Sequence, residues 1–272
     1  MTALARDVLI GFFVMAVVTV PWSVVAVVNL RVSPQVPWAI PATLGYLAAM
    51  AWYLNGRGWP ASTTETRRRH FRARLPGPTR AAWALLAGSL AIVSLWLIFA
   101  ATGRLASQPA PGREAAVAPQ VLLAFVIVGS LVTAMGEEAG IRGFMQAPLE
   151  RRFGPCVAIA ISTIAFVLIH LTRGAAALLS NGLFYLAAGV VYGLLAYLTQ
   201  SILPSLLLHF LGDIVTFALR SSLLRLSGPH TVLEITFSVL GAVIMAGLSI
   251  AAFRALARNA APPRIPAGGP AG

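Results

Sequence analysis

The chain has 272 residues, of which 58% are hydrophobic and only 10% charged, and its mean hydropathy is +0.82. Soluble domains carry about 25% charged residues, so this composition excludes a water-soluble globular protein and gives an all-α, polytopic membrane protein. The net charge of +12 is not a nucleic-acid footprint, because the arginines fall mostly in short segments between apolar runs, where they act as topology signals.

The first apolar run, Val8 to Leu30, is too long for a signal-peptide core and reads as a retained span. Val36 to Leu54 is the second. Gly56 to Arg80 is the most polar segment, with Arg57, Arg67, Arg68, Arg69, Arg72, Arg74 and Arg80 set against Glu65, and reads as a solvated cytoplasmic loop attracted to anionic lipid head groups. Ala81 to Thr102 is the third span, followed by a Pro/Gly/Ala-rich connection to about Pro119. The fourth helix begins near Ala118, runs past Gln146 and ends near Phe153-Gly154-Pro155. Cys156–Leu171, Gly182–Leu198, Ile202–Leu219 and Thr231–Phe253 complete a set of eight spans. Residues 1–258 thus form a single integral-membrane helical domain, with its motif-bearing core at about 118–217, and residues 259–272 form a disordered tail rich in Ala, Pro and Gly. Cys156 is the one cysteine, which excludes an internal disulfide; beside Gly154 and Pro155 it reads as a small packing residue. Small residues at Gly136/Gly140 and Gly189/Gly193 allow helix backbones to approach closely.

With eight spans, the side holding both termini receives 13 arginines and the opposite side 6. The excess of positive charge sets both termini in the cytoplasm, and the chain as a multi-pass protein of the cell membrane.

The fourth helix carries Gly136-Glu137-Glu138-Ala139-Gly140-Ile141-Arg142-Gly143, three ionisable groups inside an apolar span. Each costs about 2.5–3.5 kcal/mol at bilayer depth on insertion scales, so together they mark a functional site. Glu138 and Arg142 lie four residues apart on one helix face and can pair. Glu137 has no such local partner. It points about 100° away along a helix and must find its neighbours on other spans.

Two of the four histidines, His70 and His230, fall in loops and read as solvated. The others lie in spans. His170 closes Phe166-Val167-Leu168-Ile169-His170, and His209 opens His209-Phe210-Leu211-Gly212-Asp213, an i,i+4 pair on one face. Glu138 precedes the turn at Gly154 by 16 residues and His170 follows it by 16, so an antiparallel hairpin sets them at one level, roughly 24 Å from the turn at 1.5 Å per residue. His209 is only nine residues from the turn near Gln200, so the groups meet in the cytoplasmic half of the membrane if the fourth and fifth helices protrude.

Glu-Glu-x-x-x-Arg, Phe-x-x-x-His and His-x-x-x-Asn/Asp, in that order and each within a span, resemble the CPBP (Abi) family of intramembrane proteases. That family includes the type II CAAX prenyl endopeptidases and bacteriocin-processing enzymes. The resemblance covers about Ala118 to Phe217 and implies an intramembrane endopeptidase acting on a peptide or protein substrate at the lipid bilayer. It implies that Glu137 and His170 activate a water, that Glu138 and Arg142 support them, and that His209 with Asp213 stabilises the oxyanion or holds a metal. Many relatives carry Asn at position 213, which donates a hydrogen bond, whereas an ionised Asp only accepts. Asp213 is therefore protonated, orients His209, or is a ligand. Two His with carboxylates suit Zn²⁺ or another divalent metal, with His170, His209, Glu138 and Asp213 as the ligand set. Carboxylate and imidazole can by themselves supply base, oxyanion contact and acid for hydrolysis, and the chain has no Gly-x-Ser-x-Gly, His-Glu-x-x-His or phosphate loop. Two rival readings are a non-proteolytic scaffold or immunity-type protein of the same fold and a proton-coupled transporter. The first has no need of so costly a residue set, and the second lacks inverted repeats.

Overall fold

The computed structural model describes residues 2–102, 117–220 and 231–259, and among them every regular element is helical. The first two helices are α1 (Ala3–Val32) and α2 (Ala39–Leu54), followed by a short α3 (Thr64–Phe71) and by α4 (Pro78–Ala101). α5 (Pro119–Glu137) passes through a π-helical stretch, Glu138–Gln146, into α6 (Ala147–Phe153). α7 (Pro155–Ile169), α8 (Ala175–Thr199), α9 (Leu203–Arg220) and α10 (Val232–Arg258) complete the chain. Six helical segments are long and apolar enough to cross a membrane, and Ala39–Leu54 and Leu203–Phe217 are shorter apolar helices, which together match the eight expected runs. The expected tail beyond Asn259, most of the connection between α4 and α5, and His230 lie outside the described residues.

Backbone polar groups inside a bilayer must be satisfied within the protein, and the sequence meets this at its irregular points. Pro21 in α1 has no N–H to offer the Val17 carbonyl one turn earlier, and the Tyr46 hydroxyl of α2 donates to that carbonyl at 2.5 Å instead. The turn from α1 to α2 is organised by buried Asn29, which donates to the Ser33 and Val36 carbonyls and accepts from the Ala39 N–H, each at 2.8 Å. α10 runs antiparallel to α4, where Ser94 donates to the Ala242 carbonyl and Ser249 to the Ala87 carbonyl, both at 2.8 Å and both buried. Small residues along that seam make such inter-helix bonds reachable.

The span Pro119–Phe153 is 35 residues long. At about 1.5 Å per residue it exceeds the roughly 30 Å hydrocarbon thickness by several turns, so its α6 end projects with Arg151 and Arg152 exposed. Close packing fixes its lateral position. A β-carbon at Gly140 would lie 2.5 Å from the Gly11 carbonyl oxygen and 2.7 Å from the Met15 Cβ, so α1 rests directly on the π stretch. On α8, Gly189 faces Thr163 and Phe166 of α7, and Gly193 faces Ile159 and Gln146.

The polar 56–80 segment differs from the solvated loop expected of it. α3 packs beneath the π stretch, with Phe71 in the core and Arg67 and Arg72 buried. Arg67 stacks on Tyr53 at 4.0 Å and donates to the carbonyls of Tyr53, Arg57, Gly58 and Pro60, so its charge organises the loop's own backbone. Arg72 pairs with Glu150 at 2.5 and 3.2 Å, and its carbonyl accepts from the Ile202 N–H at 3.2 Å, which binds the segment over the α8–α9 turn. His70 is half-buried, edge-on to Phe144 and 2.7 Å from Arg151, contrary to a free loop histidine. Cys156 is exposed and is no packing residue.

These contacts gather the N-terminal end of α1, the 56–80 segment, the α6–α7 turn, the α8–α9 turn and the end of α10 at one end of the helix bundle. Asp7 sits 3.7 Å from Arg152, and Arg80 donates to the Asn259 carbonyl at 3.2 Å. The Arg-rich segments counted together from sequence therefore share one end.

Candidate active site

The π-helical stretch begins at Glu138 and covers Arg142. Its i→i+5 ladder is rare in globular proteins and is found mostly at functional sites, because it repositions side chains relative to an α-helix. On a straight α-helix Glu137 and Glu138 diverge, and the sequence accordingly sends them to different neighbours. In the structure both turn to one residue of α9. His209 Nδ1 lies 3.0 Å from Glu138 Oε1, and His209 Nε2 lies 3.8 Å from Glu137 Oε2. Asp213, one turn further along α9, approaches the same Nε2 at 3.7 Å. A single imidazole is thereby ringed by three carboxylates.

Glu138 and Arg142 pair as the spacing predicts, with Nε 3.9 Å from Oε2 and both side chains fully buried. The guanidinium is held from other sides too. Nη2 donates to the Gly189 carbonyl at 3.3 Å, and the plane lies over the Phe166 ring at 4.5 Å and near Tyr192 at 5.8 Å. A desolvated cation over an aromatic face is worth up to about 2 kcal/mol, which offsets part of the burial of this group. Below it, Gln146 donates to Glu150 at 2.8 Å and to the Gly193 carbonyl at 2.9 Å while accepting from Ser162 at 3.0 Å. A chain of bonds thus runs from Arg72 through Glu150 and Gln146 to α7 and α8.

His170 closes α7 and opens a 3-10 turn. Its Nδ1 is 2.7 Å from the Phe166 carbonyl oxygen, which can only accept, so Nδ1 carries the proton and Nε2 is left as the other ring nitrogen. Its ring stacks on Tyr185 at 3.7 Å. Phe166 stands between the two histidines, 4.9 Å from the His170 ring and 5.7 Å from His209. Its place in the Phe-x-x-x-His motif therefore has two uses, a carbonyl that orients one imidazole and a ring that supports Arg142 and His209.

Beside these residues a small, partly open cleft is lined by His170, His209 and Asp213 together with Trp96, Phe99, Phe166, Asn181, Phe184, Tyr185, Tyr192 and Thr216, while Glu137, Glu138 and Arg142 lie outside its lining. The lining aromatics of α4 and α8 carried no sequence signal beyond their place in apolar spans. The helical spacing of Tyr185 and Tyr192, two turns apart, is the only mark they bear. The four residues considered as metal ligands, Glu138, His170, His209 and Asp213, are not gathered as one set, and no three His, Cys, Asp or Glu side chains among the described residues are arranged to hold an ion. Both ends of the Glu138 carboxylate are engaged, by His209 and by Arg142, so the residues as arranged do not fit a metal centre.

Residues 119–215 match the model of the type II CAAX prenyl endopeptidase Rce1-like family. The segment is similar to that family. It opens at the first residue of α5 and closes two residues after Asp213, so it contains both glutamates, Arg142, both span histidines and Asp213. No curated protein and no solved structure matches the chain significantly. An Rce1-like segment within a bundle of apolar helices supports a membrane-embedded, CAAX-protease-like enzyme.

Proposed function

We propose that the protein is an intramembrane endopeptidase that hydrolyses a peptide bond of a membrane-associated substrate with a water activated by Glu137 and His170. The observation that carries this reading is the convergence of Glu137, Glu138 and Asp213 on His209 beside a cleft that also holds His170. Buried ionisable groups at this density are expensive in a membrane and are kept where they act.

Glu138 is neutralised by Arg142 and anchored by His209, which leaves Glu137 as the carboxylate for proton transfer. Glu137 takes a proton from water, and the resulting hydroxide adds to the scissile carbonyl carbon while the C=O electron pair moves onto oxygen. Collapse of that adduct breaks the C–N bond, and the proton held by Glu137 passes to the leaving nitrogen. His170, its Nδ1 tied to the Phe166 carbonyl, presents Nε2 to orient the water. His209 and Asp213 lie on the oxyanion side. The aromatic lining suits an apolar, membrane-associated peptide. The end rich in arginine, with both termini, faces the cytoplasm.

The test is cleavage of labelled peptides, prenylated and unprenylated at the C-terminus, by the purified protein in lipid. The wild type releases product, and Glu137→Gln lowers the rate by about 10²–10⁴-fold, the usual loss for a general base, with an unchanged melting profile. A Glu137→Gln protein that cleaves at the wild-type rate overturns the mechanism, and a wild type that releases nothing from either set overturns the activity.

A further inference from the structure

We propose that the Tyr192 hydroxyl is a catalytic hydrogen-bond donor to the carbonyl oxygen under attack, filling the role for which position 213 offers no amide. The inference rests on the endopeptidase reading.

Addition of hydroxide places a full negative charge on the carbonyl oxygen, and donors aimed at that point supply much of the rate. An ionised carboxylate at position 213 only accepts. It also already faces His209 Nε2 at 3.7 Å. Besides the histidines, the cleft lining offers five side-chain N–H or O–H groups, those of Trp96, Asn181, Tyr185, Tyr192 and Thr216. Asn181 spends one amide hydrogen on Ser180 at 2.8 Å. The Trp96 indole nitrogen is closed off from the cleft by burial.

Of the five, Tyr192 stacks on His209. It is only 4% exposed and lines the cleft with Asp213, His209 and His170. Its ring lies flat on the His209 imidazole, with centroids 4.9 Å apart and planes 17° from parallel, and edge-on to Phe166 at 6.2 Å. That stack aims the ring along α9, and a β-carbon built at Gly212 would lie 3.7 Å from the phenolic oxygen. The hydroxyl therefore reaches the backbone between His209 and Asp213, where glycine leaves open space. For packing against His209 alone, phenylalanine would serve as well, whereas a tyrosine hydroxyl in such a place usually takes a hydrogen-bond partner. A substrate carbonyl in the cleft is the partner this position suits.

The experiment compares wild type, Tyr192→Phe and the double variant Tyr192→Phe/Asp213→Asn in lipid, with kcat, KM and thermal melting for each. Tyr192→Phe keeps the ring and its stack. We expect kcat to fall about 10²–10³-fold, the loss typical of one oxyanion donor, with KM and melting held. The amide of Asp213→Asn in that background restores kcat by about tenfold or more, since it brings back a donor on the same backbone stretch. A merely structural Tyr192 gives no such recovery. A Tyr192→Phe protein with wild-type kcat, or a loss that the amide does not repair, overturns this assignment and leaves the endopeptidase reading intact. A wild type that cleaves nothing removes both.

Discussion

Replacing Arg142 with Met leaves the buried Glu138 carboxylate with His209 but without its cation, and the geometry sets the size of the effect. Glu138 Oε2 and Arg142 Nε are 3.9 Å apart and neither side chain is exposed. At that separation two unit charges attract by about 4 kcal/mol for an effective dielectric of 20. Arg142 also gives up its bond to the Gly189 carbonyl and its place over Phe166. Breaking such a pair from one side typically costs about 3–5 kcal/mol, because the other charge stays buried without its counter-ion. We therefore expect Arg142→Met and Glu138→Gln each to lose about that much, and the double variant to lose clearly less than their sum. The coupling should reach about 2 kcal/mol, within the range for contacting residues. Glu138→Gln keeps an amide oxygen for His209 Nδ1, so that contact does not confound the cycle. Reversible unfolding in mixed detergent, followed by tryptophan fluorescence, measures all four proteins. Losses that add within about 0.5 kcal/mol would refute the pair as an energetic unit and with it the assignment of the base role to Glu137 rather than Glu138.

Other outcomes follow from the same contacts. Arg72→Met breaks the pair with Glu150 and should cost about 3–5 kcal/mol in the same unfolding assay, whereas Arg74→Met should change it by less than about 0.5 kcal/mol, as exposed substitutions do. His70 has its pKa lowered to about 4 by burial and by Arg151 and Arg72. Folding thus favours its neutral form, so its contribution is complete above about pH 6.5 and is lost as pH falls toward 4. His70→Asn should flatten the pH dependence of melting across that window, and an unchanged slope would show that His70 does not contribute to it. For orientation, a cysteine at exposed Ser62, in a Cys156→Ala background because Cys156 is itself exposed, should react with an impermeant maleimide only after the cytoplasmic side is opened.

The apolar runs were readable because hydropathy over a span is a sum over many residues and survives local error. Predicted Val36–Leu54 became α2 at Ala39–Leu54, and the long fourth helix was foreseen through to Phe153. The Glu138–Arg142 pair was legible for a similar reason, since four residues is one turn and two opposite charges in lipid leave few alternatives. The convergence of Glu137 and Glu138 on His209 was not legible. It depends on where α9 sets the His209 imidazole between the two carboxylates, and no spacing along a single helix reports that. Arg67 and Arg72 were misread because positive charge beside a span signals sidedness whether the side chain is solvated or buried, and only the carbonyls around Arg67 and the carboxylate of Glu150 distinguish the two. Tyr192 and Trp96 were hidden by the uniform apolarity of their helices.

The π stretch has a consequence for how this protein tolerates change in length. A helix with one ladder from end to end can lose or gain a residue near its exposed tip with little effect within. The i→i+5 ladder between Glu138 and Gln146 takes up more residues per turn than an α-helix, so a single deletion there is absorbed by relaxation to an α-helix, with Gln146 and Glu150 kept beside Ser162, Gly193 and Arg72. The same deletion in the α-helical part of the span, with no wide turn to relax, would swing everything that follows by about 100°. The nine residues from Glu138 to Gln146 are in this sense the slack in the length of this helix.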